Sequence, residues 1–131
     1  MFSNKAEGPV VSKTLKMIKT DAEFKTLEVE MQKKQRKFDP ERRHPNVLLY
    51  HEASPAKVGT TTLLFRQYIC YNLTEKIHWL PHLMSEIEKK WLVFLILCGV
   101  AQIHSNDQVH GDIKPENILV TSYDWLFIAD M

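Results

Sequence analysis

Glycine is scarce in this 131-residue chain: Gly8, Gly59, Gly99 and Gly111 are all there are. None is spaced as G-x-G-x-x-G, which excludes a glycine loop of the kind that covers nucleotide phosphates. Two cysteines, Cys70 and Cys98, stand far apart without metal-type spacing, so a reduced, cytosolic setting is expected. Charge of one sign is lacking too. With 17 Lys+Arg against 16 Asp+Glu, no general basic field argues for nucleic acid or an acidic membrane surface. The basic run Lys33, Lys34, Arg36, Lys37, Arg42 and Arg43 closes an expected helix, where cations complement the negative end of the dipole. Long apolar runs are absent: Leu92 to Ala101, the most apolar stretch, is too short to span a bilayer and reads as a buried helix. The opening Met1-Phe2-Ser3-Asn4-Lys5 offers neither a signal-peptide core nor a glycine at position two for myristoylation. No internal repeat or low-complexity segment occurs.

What is present is an interleaving of strand and helix patterns. Pro9 to Ile18 alternates loosely between apolar and polar, which predicts a strand with one buried face. Asp21 then opens an amphipathic helix on Phe24, Leu27, Met31 and Phe38, ending before Asp39-Pro40. His44-Pro45-Asn46 marks a turn. Val47 to His51 and Thr61 to Tyr68 read as strands joined by a Pro- and Gly-containing loop at Ser54 to Thr60. Ser85-Glu86-Ile87-Glu88 has the capping-box pattern, and the helix it starts is expected to bury Ile87, Trp91, Phe94, Leu95, Cys98 and Ala101 as one face until Ser105-Asn106-Asp107. Ile118 to Thr121 and Trp125 to Ala129, separated by Ser122-Tyr123-Asp124, form a small hairpin with Asn117 at one end and Asp130 at the other.

The chemistry lies around that hairpin. His110-Gly111-Asp112-Ile113-Lys114-Pro115-Glu116-Asn117, followed by Asp130, resembles the arrangement with which protein kinases move a phosphoryl group from ATP. At usage of roughly 5% per residue type, chance would place the histidine, aspartate, lysine and asparagine so in about one such chain per thousand. The plainer alternative, ordinary turn residues at Asp112 and Asn117, is therefore disfavoured. Phosphoryl transfer needs positioning and charge neutralisation. Asp112 is the candidate to orient a substrate hydroxyl and accept its proton, and Lys114 to neutralise the transferring phosphate. Asn117 and Asp130 are the candidate Mg2+ ligands, since oxygen donors suit a hard cation that keeps waters and bridges to phosphates. His110 is expected to act as a strut. Gly111 stands where the His-Arg-Asp version has an arginine that pairs with a phosphorylated activation loop, so control of that kind is disfavoured. Upstream, Val10-Val11-Ser12-Lys13 resembles the strand ending in a phosphate-binding lysine. Lys13 is that candidate; Glu30, better placed than Glu28 by its distance from Lys13, is its candidate partner in holding the nucleotide. Lys114 separates two kinases that share His-Gly-Asp: Asp-x-Lys-Pro-Glu-Asn is similar to serine/threonine protein kinases, whereas aminoglycoside- and choline-type kinases generally lack the lysine.

A narrower resemblance rests on Leu64-Phe65-Arg66-Gln67-Tyr68, Asn72-Leu73, Ile87-Glu88-Lys89-Lys90-Trp91, His110 to Lys114, and Leu119-Val120-Thr121-Ser122 with Trp125-Leu126. These segments look like the protein-kinase-like regulatory subunit of the class III phosphatidylinositol 3-kinase, of the vacuolar protein sorting group. The likeness runs from about Gly8 to Asp130 and is strong from Leu64 onward. It implies a scaffold that anchors the lipid kinase on endosomal and autophagic membranes, with the lipid-kinase catalytic subunit as partner and ATP and Mg2+ as cofactors. Three departures stand out: Met1-Phe2 in place of a myristoylated glycine, no glycine loop or first small-lobe strands, and Met131 where the family has phenylalanine.

The expected fold is α+β and protein-kinase-like: an incomplete small lobe over about 8–68, a hinge near Gln67 to Tyr71, and the first helices and catalytic hairpin of the large lobe over 69–131. The expected function is that of a serine/threonine protein kinase using ATP and Mg2+, active in endosomal sorting and autophagy, with little turnover by this chain alone. It would be cytoplasmic, reaching membranes through partners, with no direct anchor and no nucleic-acid partner. The alternative is a non-catalytic scaffold or a truncated fragment that binds the lipid kinase. In a fragment, the long helix would show an uncovered apolar face.

Overall fold

The structure, a computed structural model, describes residues 2–4, 8–16, 20–38, 44–55, 61–79 and 84–131. The expectations for Arg42 and Arg43, the stop at Asp39-Pro40, Gly59, and the end of the first strand at Met17-Ile18 lie outside them. In chain order the elements are β1 (Phe2–Asn4), β2 (Gly8–Lys16), α1 (Asp21–Lys37), β3 (Val47–Leu48), β4 (Glu52–Pro55), β5 (Thr61–Gln67), β6 (Tyr71–Asn72), α2 (Leu73–Trp79), α3 (Glu86–His104), a 3-10 turn (Pro115–Asn117), β7 (Ile118–Val120) and β8 (Leu126–Ala129). The chain divides into two compact units, one of Met1–Lys37 with Leu49–Tyr68, the other of Phe38–Leu48 with Ile69–Met131.

The first unit is an antiparallel sheet in the order β1-β2-β5-β4 together with α1. Strand alternation decides its burial: on β5, Thr62 and Leu64 are buried while Thr61, Leu63 and Phe65 are half-buried. β1 is a short strand that the polar start did not signal; it pairs with β2 from Phe2 opposite Val10 to Asn4 opposite Gly8. At the start of α1, Thr20 Oγ1 accepts the Glu23 amide at 3.2 Å, and Asp21 and Glu23 complement the positive end of the helix. The apolar stripe is thin, and no residue of α1 is buried.

The second unit holds a sheet in the order β3-β8-β7-β6, with α3 packed on β8 and β3. Here the expected strand from Val47 to His51 is split. Val47 and Leu48 run parallel to β8, whereas β5 takes Glu52–Pro55 as its neighbour. Asn46 is the cause: its backbone oxygen accepts the Ile128 amide at 2.8 Å, its side chain donates to Leu126 O at 2.9 Å, and Gln102 holds it twice more, at 3.0 and 2.9 Å. Four bonds from a buried asparagine commit the segment that follows to the second unit.

α3 begins as expected. Ser85 Oγ accepts the Glu88 amide at 3.2 Å, and the Glu88 carboxylate accepts the Ser85 amide at 2.6 Å. Its buried residues, however, are Leu92, Leu95, Gly99 and Ile103, while Ile87, Trp91, Phe94 and Ala101 of the expected face are exposed. Trp91 to Ala101 is apolar almost all round, so periodicity offers more than one face and cannot choose among them. Gly99 decides the matter. A Cβ there would lie 2.8 Å from Ile128 Cδ1 and 3.3 Å from Asn46 O, so any larger residue would have to push the Ile128 side chain aside for this close approach to β8. α2 was not anticipated, although its signal is present: Asn72 Oδ1 accepts the Glu75 amide at 2.8 Å and Glu75 Oε2 accepts the Asn72 amide at 2.9 Å, a capping box with asparagine in the serine position. Among the described residues, no helix is long and apolar enough to cross a membrane.

Candidate active site

The hairpin of β7 and β8 is the platform. Its register, Ile118 opposite Ile128 through Val120 opposite Leu126, puts Asn117 and Asp130 together at the open end. Ile118, Leu119, Val120, Leu126, Ile128 and Ala129 are all buried, so the backbone leading to both candidates is fixed by packing. Pro115 starts the 3-10 turn, where its ring presets φ, and the Asn117 amide closes that turn on Lys114 O at 2.9 Å.

The loop before it is strapped to the end of β8 by His110. Its Nε2 lies 2.8 Å from Ala129 O, and its Nδ1 lies 3.2 Å from the Asp112 amide nitrogen. A carbonyl can only accept and a backbone amide can only donate, so Nε2 carries the proton and Nδ1 accepts. Both ring nitrogens of the neutral imidazole are thereby occupied, which is the arrangement of a strut. Gly111 has φ +79° with nothing within 4 Å of a built Cβ; side-chain space is open there, but the backbone conformation is one L-residues rarely adopt.

Asp112, Lys114 and Asn117 come together directly. Asp112 Oδ2 accepts from Lys114 Nζ at 2.7 Å and from Asn117 Nδ2 at 3.0 Å, and Asn117 Nδ2 also donates to Asp112 O at 2.9 Å. The Lys114 hydrogen bond holds the exposed Asp112 carboxyl below its usual range, with the Asn117 hydrogen bond acting in the same direction. Reciprocally, Asp112 raises the Lys114 ammonium above the usual lysine value. An ionised aspartate with one oxygen saturated and the other available can orient a hydroxyl. Asp130 follows β8 with φ +66°, a left-handed backbone uncommon outside glycine and the kind of local strain that clusters at functional sites.

Lys13 and Glu30 belong to the first unit. Lys13 pairs with Leu64 across the sheet and is exposed, its Nζ 5.8 Å from the centre of the Tyr50 ring, within cation-π range. Glu30 is exposed on α1. Tyr50 had no sequence signal, because nothing local announces that it follows the split strand and lies beside β2. A second contact missed in the sequence is the ion pair between Lys76 of α2 and Asp124 in the hairpin turn.

The donor chemistry fits a magnesium ion with nucleotide. Among the described residues, no group of three or more His, Cys, Asp or Glu could hold a metal by itself. A hard cation that brings waters and phosphate oxygens needs only one or two protein groups. The Asn117 amide nitrogen is engaged with Asp112, which leaves its carbonyl oxygen to serve as a cation ligand.

No protein-family model matches the chain. Among curated proteins it is 51% identical over 67 residues to serine/threonine-protein kinase VPS15 of Arabidopsis thaliana, a match spanning 51% of this chain and 4% of that protein. It is 37% identical over 86 residues to VPS15 of Saccharomyces cerevisiae, covering 66% of this chain and 6% of the relative. The chain thus corresponds to a small part of the length of these relatives. Among solved structures it is similar to a chain of the yeast RNA Pol II CTD kinase CTDK-1 complex, with a TM-score of 0.70 and 26% identity, over 92% of this chain and 37% of that one. The expected mixed α+β, protein-kinase-like fold is therefore the fold the chain has, and its likeness to the VPS15 serine/threonine kinases bears out the expected resemblance to the vacuolar protein sorting group.

Proposed function

We propose that this chain, which carries part of a protein-kinase fold and is similar to the VPS15 serine/threonine kinases, handles ATP for phosphoryl transfer to protein hydroxyls. The observation that carries the reading is the shared Asp112 oxygen, held by both Lys114 and Asn117. Asp112 orients the acceptor hydroxyl and takes its proton late, because its lowered pKa makes it a weak base. Lys114 lies within reach of the same position and neutralises the transferring phosphate. Asn117 and Asp130 would hold Mg2+, which would supply positive charge to offset that of the phosphates. In the first unit Lys13 contacts the nucleotide phosphates and Glu30 orients it.

By its likeness to VPS15 the chain acts beside the catalytic subunit of a class III phosphatidylinositol 3-kinase, on endosomal or autophagic membranes reached through that partner. The second reading, a non-catalytic scaffold, is favoured by the exposed apolar residues Ile87, Trp91, Phe94 and Leu97 along α3. Thermal melting with and without Mg2+-ATP separates the two. The kinase reading expects a rise in Tm that Lys13→Met and Asp130→Asn each remove. No rise in the wild-type chain, with lipid-kinase binding retained, supports the scaffold instead.

A further inference from the structure

Lys76 is the only buried lysine, arginine or carboxylate among the described residues. It lies on α2, a helix of seven residues whose outer side chains Ile77 and Trp79 are exposed, so propensity alone cannot hold it in place. Its ammonium pairs with the Asp124 carboxylate. Asp124 sits in the β7–β8 turn with φ +59°, and Thr121 Oγ1 fixes that turn by accepting the Tyr123 and Trp125 amides at 3.3 and 3.1 Å. The Lys76 charge also acts on Glu88, whose carboxylate is committed to the Ser85 cap. α2 packs on β6, β7 and the 3-10 turn that ends at Asn117.

A buried ion pair contributes little net stability, because desolvation offsets most of the attraction; what it can supply is a fixed register between the elements it joins. We infer that Lys76 and Asp124 are positioning residues: their ion pair ties α2 to the far end of the hairpin so that the helix backs the 3-10 turn and fixes the direction of the Asn117 side chain. The functional consequence rests on Asn117 as a magnesium ligand, while the placement itself does not.

The test is amide hydrogen exchange in this chain. Asn117 and Ile118 donate to Lys114 O and Pro115 O, so their exchange reports closure of the turn. Lys76→Met keeps the length and apolar stem of the side chain but removes its charge. It is expected to lower protection at these two amides by about tenfold while changing Leu119, Phe127 and Ile128 less than about twofold. The exchanged pair, Lys76→Asp with Asp124→Lys, is expected to recover most of the loss. If Lys76→Met fails to fold, Asp124→Asn carries the same comparison, since asparagine tolerates the left-handed turn position. Unchanged protection at Asn117 and Ile118, or an equal loss along the whole hairpin, overturns the proposal. Melting with Mg2+-ATP reads the nucleotide role separately, so a chain that binds no nucleotide leaves this result standing.

Discussion

β7 and β8 bury six side chains in the second unit, whereas α1, the longest element of the first, buries none and the described buried residues there are Val10, Thr62 and Leu64. The candidate groups follow the same division. Asp112, Asn117 and Asp130 are carried by or tied to the packed hairpin, while Lys13 and Glu30 are exposed on lightly packed elements. Groups that must meet within a hydrogen-bond length need a backbone that does not shift, and core packing supplies it. A long lysine reaching for phosphate tolerates a looser base. Elements with little burial also open at lower free energy.

Core truncation should separate the two units most strongly. Ile128→Ala, at a fully buried site of the hairpin packed against α3, is expected to cost about 2–5 kcal/mol. Leu27→Ala on the half-buried stripe of α1 should cost less than about 1.5 kcal/mol. Urea unfolding followed by tryptophan fluorescence checks both, and equal costs would erase the distinction. Two glycine substitutions rank next. Gly99→Ala should cost about 1–3 kcal/mol through its contact with Ile128 Cδ1, and Ile128→Val in the same chain should relieve part of that cost. Gly111→Ala should cost about 1–2 kcal/mol through backbone conformation alone, with no relief from any neighbour.

The smallest effect is electrostatic. Carbon-detected NMR should find Asp112 titrating below an ordinary aspartate, and Lys114→Met should move the midpoint up. The sign follows from linkage: a carboxyl with a lowered folded pKa contributes above its unfolded value, and that contribution disappears as pH falls through the folded pKa. Lys114, whose pKa is raised, keeps its contribution below its unfolded value and loses it as pH rises through the folded one. Both groups are exposed, so the midpoint should move while Tm barely changes.

How much of this could be read in advance differs between the units for physical reasons. The hairpin, the α3 cap and the Asp112-Lys114-Asn117 cluster were legible because each depends on residues close in sequence. Ser85 reaches Glu88, and Asp112 reaches Asn117, within a few positions. The split of the Val47 strand was not legible, since it follows from Asn46 bonding to Leu126 and Gln102, far along the chain. The buried face of α3 was misread for a related reason: a helix apolar nearly all round declares its partner only through Gly99, whose role appears when β8 lies against it. α2 could have been found, because Asn72 and Glu75 have the spacing of a cap.

On the proposed function, the open end of the hairpin binds a divalent cation with nucleotide. Manganese-induced broadening of amide signals, recorded with ATP present, tests it most directly. Asn117, its side-chain amide, Asp130 and Met131 are expected to broaden first while Ser122 to Trp125, at the other end of the same hairpin, stay sharp. Broadening centred instead on Glu86 and Glu88, or spread evenly over the chain, would contradict it.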